Sequence, residues 1–230
     1  MEFVDLDGAG PAQAVVVIDV LRAFTTVPWA YHQGVARVLA VAERDHAMAL
    51  RTSHLPDALL AGEHGGIKVP GFDLGNSPSE IAATDLTGRT IVHRTSAGTQ
   101  GLLRTTGSGI VFAASFVTAG ATARALRAAE VTDVTFVITG ASLGRNGDED
   151  LAAAELIAAR VAGEDPDPAP FLARVEPSDA GRLFAEDGPA WAPVEDLRLA
   201  CELDRFEAAL VATPRPELHA VEVRPADLVT

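Results

Sequence analysis

A single cysteine, Cys201, rules out an internal disulfide framework and a zinc site built on paired thiolates. No apolar run approaches the roughly 20 residues that span a bilayer. The opening residues Met1, Glu2, Phe3, Val4 and Asp5 carry neither the basic start nor the apolar stretch of a secretory signal. Together these absences predict a reducing, cytoplasmic setting and no membrane partner. Aromatic residues make up 5% of the 230-residue chain while hydrophobic residues reach 48%, so a large core must come from Ala, Val, Leu and Ile. Positive charge is scarce, with 18 Lys and Arg against 32 Asp and Glu and a net charge of −14. Such a field repels nucleic acid and anionic membranes. A small anion remains an acceptable ligand only where cations are concentrated or a metal adds charge. Lysine is nearly absent too. Lys68 stands alone, in a chain that uses arginine elsewhere. A lone survivor hints at a site that wants a compact ammonium, although chance accounts for it as well.

What is present is an alternation of short β-branched runs with Ala- and Leu-rich stretches. It predicts an α/β domain with a mostly parallel or mixed sheet and helices on both faces. Strands are expected at 14–20, 37–41, 58–61, 90–93, 110–113 and 134–139. Helices are expected at 23–33, 43–51, 99–104, 118–129 and 150–162. Ser77 should cap a helical turn over 78–83, with Pro78 at its first position. Residues 163–170 (GEDPDPAP) read as a surface linker within a single domain over 1–230. Helical segments at 177–185 and 194–203 follow, then strands at 208–212 and 220–223. Homo-oligomer formation is left open.

The polar residues that follow the apolar runs are the informative ones. Asp19 closes the first, Glu63 follows Gly62, and Arg94, Thr95 and Ser96 end another. Ser115 and the string Thr139, Gly140, Ala141, Ser142 end two more. In open parallel sheets ligands bind beyond the carboxyl ends of the strands, so these groups are expected on one rim. Asp19 with Arg22, Thr25 and Thr26 sits at a helix entrance, where anions are favoured. Equally, Asp19 could cap that helix with Arg22 as its ion-pair partner. The loop from Gly62 to Lys68 is glycine-rich without matching an ATP-binding pattern. Asn76 and Ser77 end a specific string that leads into a capped turn. Ser96, Gly98 and Thr99 form a small-residue turn suited to an oxyanion. Arg145 precedes Asp148, Glu149 and Asp150, which also read as ordinary complements to a helix dipole.

Other patterns carry less. Asp5, Leu6, Asp7 and Gly8 look like the strand-end motif of the haloacid dehalogenase phosphatases, but the later acidic motif fails, so Asp5 and Asp7 are expected in an N-terminal turn. The six histidines have no metal-ligand spacing and read as surface or core filling. Cys201 lies on an apolar stripe without an activating base.

The strings Ile18 to Ala23 with Thr25 and Thr26, Gly62 to Lys68, Gly71-Phe72-Asp73-Leu74-Gly75-Asn76-Ser77-Pro78, Arg94-Thr95-Ser96 with Gly98-Thr99, and Glu149-Asp150 resemble the 2-phosphosulfolactate phosphatase family over roughly residues 14–211. The resemblance implies a three-layer α/β/α fold and Mg²⁺-dependent hydrolysis of a small anionic phosphate ester of the sulfolactate type, on the way to coenzyme M. Asp19, Arg22, Glu63 and Lys68 would then be catalytic. Thr25, Thr26, Asn76, Ser77, Arg94, Thr95, Ser96, Gly98, Thr99 and Arg145 would bind substrate. Asp19, Glu63, Glu149 and Asp150 would be the candidate metal ligands, since Mg²⁺ takes one or two carboxylates plus water and phosphate oxygens. Asp19 could attack phosphorus itself or orient a water. Ala97 departs from the Asn that the family commonly carries there, which opens the choice of substrate. Two alternatives stand beside this one: a non-catalytic anion-binding protein of the same fold, and a phosphatase for a different metabolite.

Overall fold

The structure, a computed structural model, describes residues 1–142 and 144–226. Ten strands form one sheet: β1 (Glu2–Asp5), β2 (Ala14–Ile18), β3 (Arg37–Ala40), β4 (Leu59–His64), β5 (Ile67–Lys68), β6 (Thr90–Arg94), β7 (Ile110–Ala114), β8 (Val134–Ile138), β9 (Leu210–Arg215) and β10 (Ala220–Pro225). The helices are α1 (Ala23–His32), α2 (Arg44–Ser53), α3 (Pro78–Ala82), α4 (Gly98–Arg104), α5 (Ala119–Ala128), α6 (Asp148–Val161), α7 (Ala169–Leu172) and α8 (Val194–Ala200). None of them is long and apolar enough to cross a membrane among the described residues. Expected and observed elements agree closely through α6, apart from the short strands β1 and β5, which were not expected. Beyond it, the linker already turns into α7 at Ala169, and the helix expected over 177–185 is only a 3₁₀ turn, Gly181–Phe184. Asp5 ends a true edge strand, and the turn comes just after it, where its carboxylate accepts from the Gly8 N–H.

The strand order is β1-β8-β2-β7-β9-β10-β3-β6-β4-β5. It contains two parallel blocks, β1-β8-β2-β7 and β3-β6-β4, joined by the antiparallel hairpin β9-β10. Strand β2, Ala-Val-Val-Val-Ile, is buried on both faces, as its unbroken apolar run requires of a central parallel strand. Its alternate residues feed two cores. Val16 and Ile18 meet Phe112, Phe136 and the apolar sides of α5 and α6 through Leu126, Leu156 and Ile157. Val15 and Val17 face the opposite layer, where Phe24 and Val27 of α1, Ile81 of α3 and Leu102 of α4 fill the space. That second core also takes Val38, Ile91, Leu210 and Val221, so it spans both parallel blocks. A third cluster packs Ala47 and Leu50 of α2 on Leu39, Leu60 and Val92. The result is a three-layer α/β/α arrangement with a mixed sheet.

The hairpin changes one expectation. Three successive antiparallel pairings, β7-β9, β9-β10 and β10-β3, separate the blocks, so the blocks run in opposite senses along the sheet. A flat sheet would put their carboxyl ends on opposite edges. Strand twist of about 20–25° per neighbour accumulates over the five steps from β2 to β6 to roughly 100–125°, and the sheet coils around α1 and α4. The carboxyl ends of β2 and β6 thereby meet face to face instead of sharing one rim. Close packing marks the meeting point: a methyl on Gly98, just past β6, would lie 2.6 Å from Asp19 Oδ2, just past β2.

Candidate active site

Where the two blocks meet lies a cavity of about 290 Å³. Its polar wall is Asp19, Arg22, Glu63, Asn76, Ser96 and Arg145; Leu21, Leu183, Phe184 and Trp191 form the apolar wall. A second cavity of about 470 Å³ adjoins it through Arg22, Gly66, Asn76 and Trp191.

Asp19 does two things. Its Oδ1 accepts the Ala23 N–H at 2.9 Å and its backbone carbonyl accepts from Phe24, so Asp19 ties down the first two N–H groups of α1, whose N-cap is Arg22. Oδ2 is left beside Gly98 at the cavity. Burial pushes the carboxyl from its ordinary 3.8 up to about 6. The Ala23 hydrogen bond works against that rise, the charges of Glu63 and Glu149 add to it, and Arg145 opposes it. Because Asp19 fills the start of α1, that helix end is not open to a ligand. Thr25 and Thr26 turn away from it, donating to the carbonyls of Val20 and Arg22.

Arg22 is not paired with Asp19. Its guanidinium donates to Asp196 Oδ2 at 3.0 Å, to the Trp191 carbonyl at 2.8 Å and to the Gly66 carbonyl at 2.8 Å. Three of five N–H donors are thus engaged, which leaves two for a ligand. Phe184 and Trp191 lie against its plane. The ion pair is almost fully buried, with Arg22 4% and Asp196 0% exposed. Asp196 Oδ1 accepts from the hydroxyls of Ser77 and Ser79 and from the Ser79 N–H. Ser77 therefore caps α3 and anchors Asp196, and its hydroxyl is taken.

Glu63 braces two loops. Its oxygens accept the Ser96 N–H at 2.5 Å, the Gly66 N–H at 2.6 Å and the Ser96 hydroxyl at 3.1 Å. Arg94 points along the same brace, donating to the carbonyls of Ala42 and Glu63, and is absent from the cavity wall. Thr95 and Thr99 bond each other at the start of α4 and are buried there. Ser96 and Ala97 do line the cavity. Lys68 stands apart: exposed, on the rim of the second cavity, with its ammonium 3.2 Å from the Asp73 carbonyl.

The acidic start of α6 divides in two. Asp150 is committed to structure, accepting from the N–H groups of Val20 and Gly140 at 2.7 Å each and tying β2 to the turn after β8. Burial pushes its pKa well up, and the charges of Glu149 and Asp19 push the same way. Glu149 is 2% exposed, and its Oε2 has no hydrogen-bond partner among the described residues. Burial raises its pKa as well. A buried carboxylate oxygen without a partner calls for an ion or water. Arg145 is the one cation on the cavity wall whose side chain forms no hydrogen bond or ion pair with a described residue.

Three contributors escaped the sequence reading: Asp196, His93 and the Leu183, Phe184, Trp191 wall. Asp196 looks in sequence like any acid in the first turn of a helix. Nothing in the order of residues says that α8 returns to α3.

A family model described as 2-phosphosulpholactate phosphatase matches residues 5–185. The chain belongs to the 2-phosphosulfolactate phosphatase family. Relatives named probable 2-phosphosulfolactate phosphatases include one from Deinococcus radiodurans, 43% identical over 62% of this chain and 59% of that protein. One from Bacillus subtilis is 34% identical over 66% of each chain. One from Thermus thermophilus is 34% identical over 81% of this chain and 74% of the other. The chain thus spans about three fifths of the Deinococcus family member that it matches. Trp191, which lines the cavity, and Asp196, which pairs with Arg22, lie beyond the part of the chain that the family model covers.

Proposed function

We propose that the chain is a Mg²⁺-dependent phosphatase of a small anionic phosphate ester, 2-phosphosulfolactate or a related phosphorylated hydroxy acid, as its relatives' names suggest. The observation that carries this reading is the pairing of a cavity-facing carboxylate oxygen of the buried Asp19, unpartnered among the described residues, with two cations that keep donors unspent, Arg22 and Arg145. A phosphoryl group needs both: countercharge on its oxygens and an oxygen base or nucleophile opposite the leaving group.

Arg22 would grip phosphoryl oxygens through its two remaining N–H groups. Arg145 would close on them from the loop before α6. The Ala97 and Gly98 N–H groups at the start of α4 would add neutral donors. Leu183, Phe184 and Trp191 would keep bulk water off the leaving group, which strengthens every charge contact inside. Asp19, held at Oδ1 by Ala23, would act through Oδ2, attacking phosphorus or taking the proton of the attacking water. A pKa about 6 suits a base that works near neutrality.

The donors fit a divalent cation. Among the described residues no three His, Cys, Asp or Glu side chains converge enough to enclose a metal by themselves. Mg²⁺ needs only one or two carboxylates, with water and phosphate completing its shell. Among the described residues Glu149 Oε2 and Asp19 Oδ2 have no hydrogen-bond partner, whereas the oxygens of Glu63 and Asp150 are spent on backbone N–H groups and hydroxyls. The ion would supply positive charge to the developing transition state.

A cytoplasmic setting and a role toward coenzyme M belong to the same reading. The test is a phosphate-release screen over small phosphorylated hydroxy acids with Mg²⁺ or with chelator. Turnover that survives exhaustive chelation would remove the metal, and no release from any ester would favour an anion-binding protein.

A further inference from the structure

His93 is 2% exposed at the end of β6, yet it touches the cavity wall through one neighbour. Its Nε2 lies 3.1 Å from Asn76 Oδ1. A carbonyl oxygen can only accept, so Nε2 carries the proton in this pair. Burial holds the imidazole neutral by lowering its pKa from 6.5 to about 4. A neutral ring has a single N–H, and here that N–H is spent on one acceptor. The consequence falls on Asn76. With Oδ1 turned to the histidine, the amide Nδ2 must point the other way. Asn76 lines both cavities, and its Nδ2 has no partner among the described residues and is not sealed from solvent.

Orientation decides what an asparagine offers an anion. Nδ2 presents two donors, whereas a flipped amide presents an oxygen that repels a phosphate. We infer that His93 is a positioning residue that locks the Asn76 amide with its nitrogen toward the cavity, making Asn76 a neutral donor to the substrate anion. The inference rests on the phosphatase reading for its ligand, though not for its geometry. It explains why a buried histidine sits one residue before the Arg94–Ser96 turn. It also gives a task to one of only two asparagines in the chain.

Two measurements on the 230-residue chain test this. Nitrogen-15 spectra of the His93 ring between pH 6 and 8 should show the neutral form protonated at Nε2, with that signal displaced in Asn76→Ala. A ring protonated at Nδ1 would overturn the inference. Calorimetric titration with inorganic phosphate should show His93→Leu weakening affinity about tenfold, the scale of one hydrogen bond to a charged group. His93→Gln, which keeps an N–H at similar reach, should stay within about threefold of wild type. In an Asn76→Ala background, His93→Leu should cost less than about twofold more, because coupled residues are non-additive. An equal loss in both backgrounds would mean that His93 acts only on packing, and would sink the idea. Should His93→Leu fail to fold, the tautomer and the glutamine variant still decide. If wild type binds no phosphate while the ring carries its proton on Nε2, the phosphatase reading falls and the locked amide stands.

Discussion

Asp19 has the start of α1 on one oxygen and the cavity on the other, so its charge can be removed without its shape. In Asp19→Asn the Oδ1 contact to Ala23 survives, and folding should be kept. Turnover should fall by at least a hundredfold, about 2.7 kcal/mol of transition-state stabilisation. A variant that folds and retains more than about a tenth of kcat would leave Asp19 as a tie to α1 alone. Rapid acid quench of wild type separates its two routes, since attack by Oδ2 leaves acid-stable label on protein and water attack does not. Lys68 behaves otherwise. Exposed and 3.2 Å from a carbonyl, it lies outside the Asp19 cavity, so Lys68→Ala should change kcat by less than about twofold. Much of this was legible at the level of single residues. The strings around Asp19, Arg22, Ser96 and Arg145 hold residues that line the cavity, because strand-end placement is a local property. Thr25, Thr26, Thr95 and Thr99 were legible only as polar residues near strand ends. Their hydroxyls go to backbone and to one another, and no sequence pattern distinguishes that use from ligand binding.

At the scale of elements, α8 holds the site's cation in place. Asp196 takes four donors from three residues, Arg22, Ser77 and Ser79. Asp196→Ala would strand a buried guanidinium and two hydroxyls, and should destabilise the fold by about 3–5 kcal/mol. Denaturant unfolding would measure it; a loss under 1 kcal/mol would mean that water replaces the carboxylate. Gly98→Ala tests the meeting of the two blocks. The added carbon would stand 2.6 Å from Asp19 Oδ2 and 2.8 Å from Ala23 Cβ, so α4 or Asp19 must shift. Activity should drop at least tenfold, and wild-type kinetics would show that the helix recedes freely. The individual strands and helices were readable because period and length are written in neighbouring residues. Their arrangement was not. The hairpin of β9 and β10 enters the middle of the sheet from the far end of the chain and reverses one block. Such pairing is non-local, and only the coil of the finished sheet brings the carboxyl edges together.

For the whole molecule, the buried titrating groups pull in opposite directions as pH changes. Asp19, with a folded pKa of about 6 against 3.8, holds a proton between those values that the unfolded chain has released. Its contribution is therefore present below about pH 4 and is lost by the time pH passes 6, on the order of 3 kcal/mol. Glu149 and Asp150, also raised, act with the same sign. His93 has the opposite sign: folded near 4 against 6.5, it binds a proton more readily when unfolded, so it favours folding as pH rises through that window. Asp19 and His93 nearly offset each other while Glu149 and Asp150 add to the acid side, so the bare stability curve of wild type is a poor witness to any one group. Differences are better. In metal-free protein, Asp19→Asn should gain stability relative to wild type as pH rises from 4 to 7, because only wild type must ionise a buried acid. Mg²⁺ should then stabilise wild type increasingly through the same range, since the ion binds the ionised carboxylate and only the folded state gathers the donors. Thermal melts with Mg²⁺ or chelator at pH 5 and pH 8 read this directly. The expected result is a Tm rise on adding Mg²⁺ that is several degrees larger at pH 8 than at pH 5. It should be absent from Asp19→Asn and reduced in Glu149→Gln. A shift independent of pH, or one preserved in both variants, would place the ion somewhere other than beside Asp19 and Glu149.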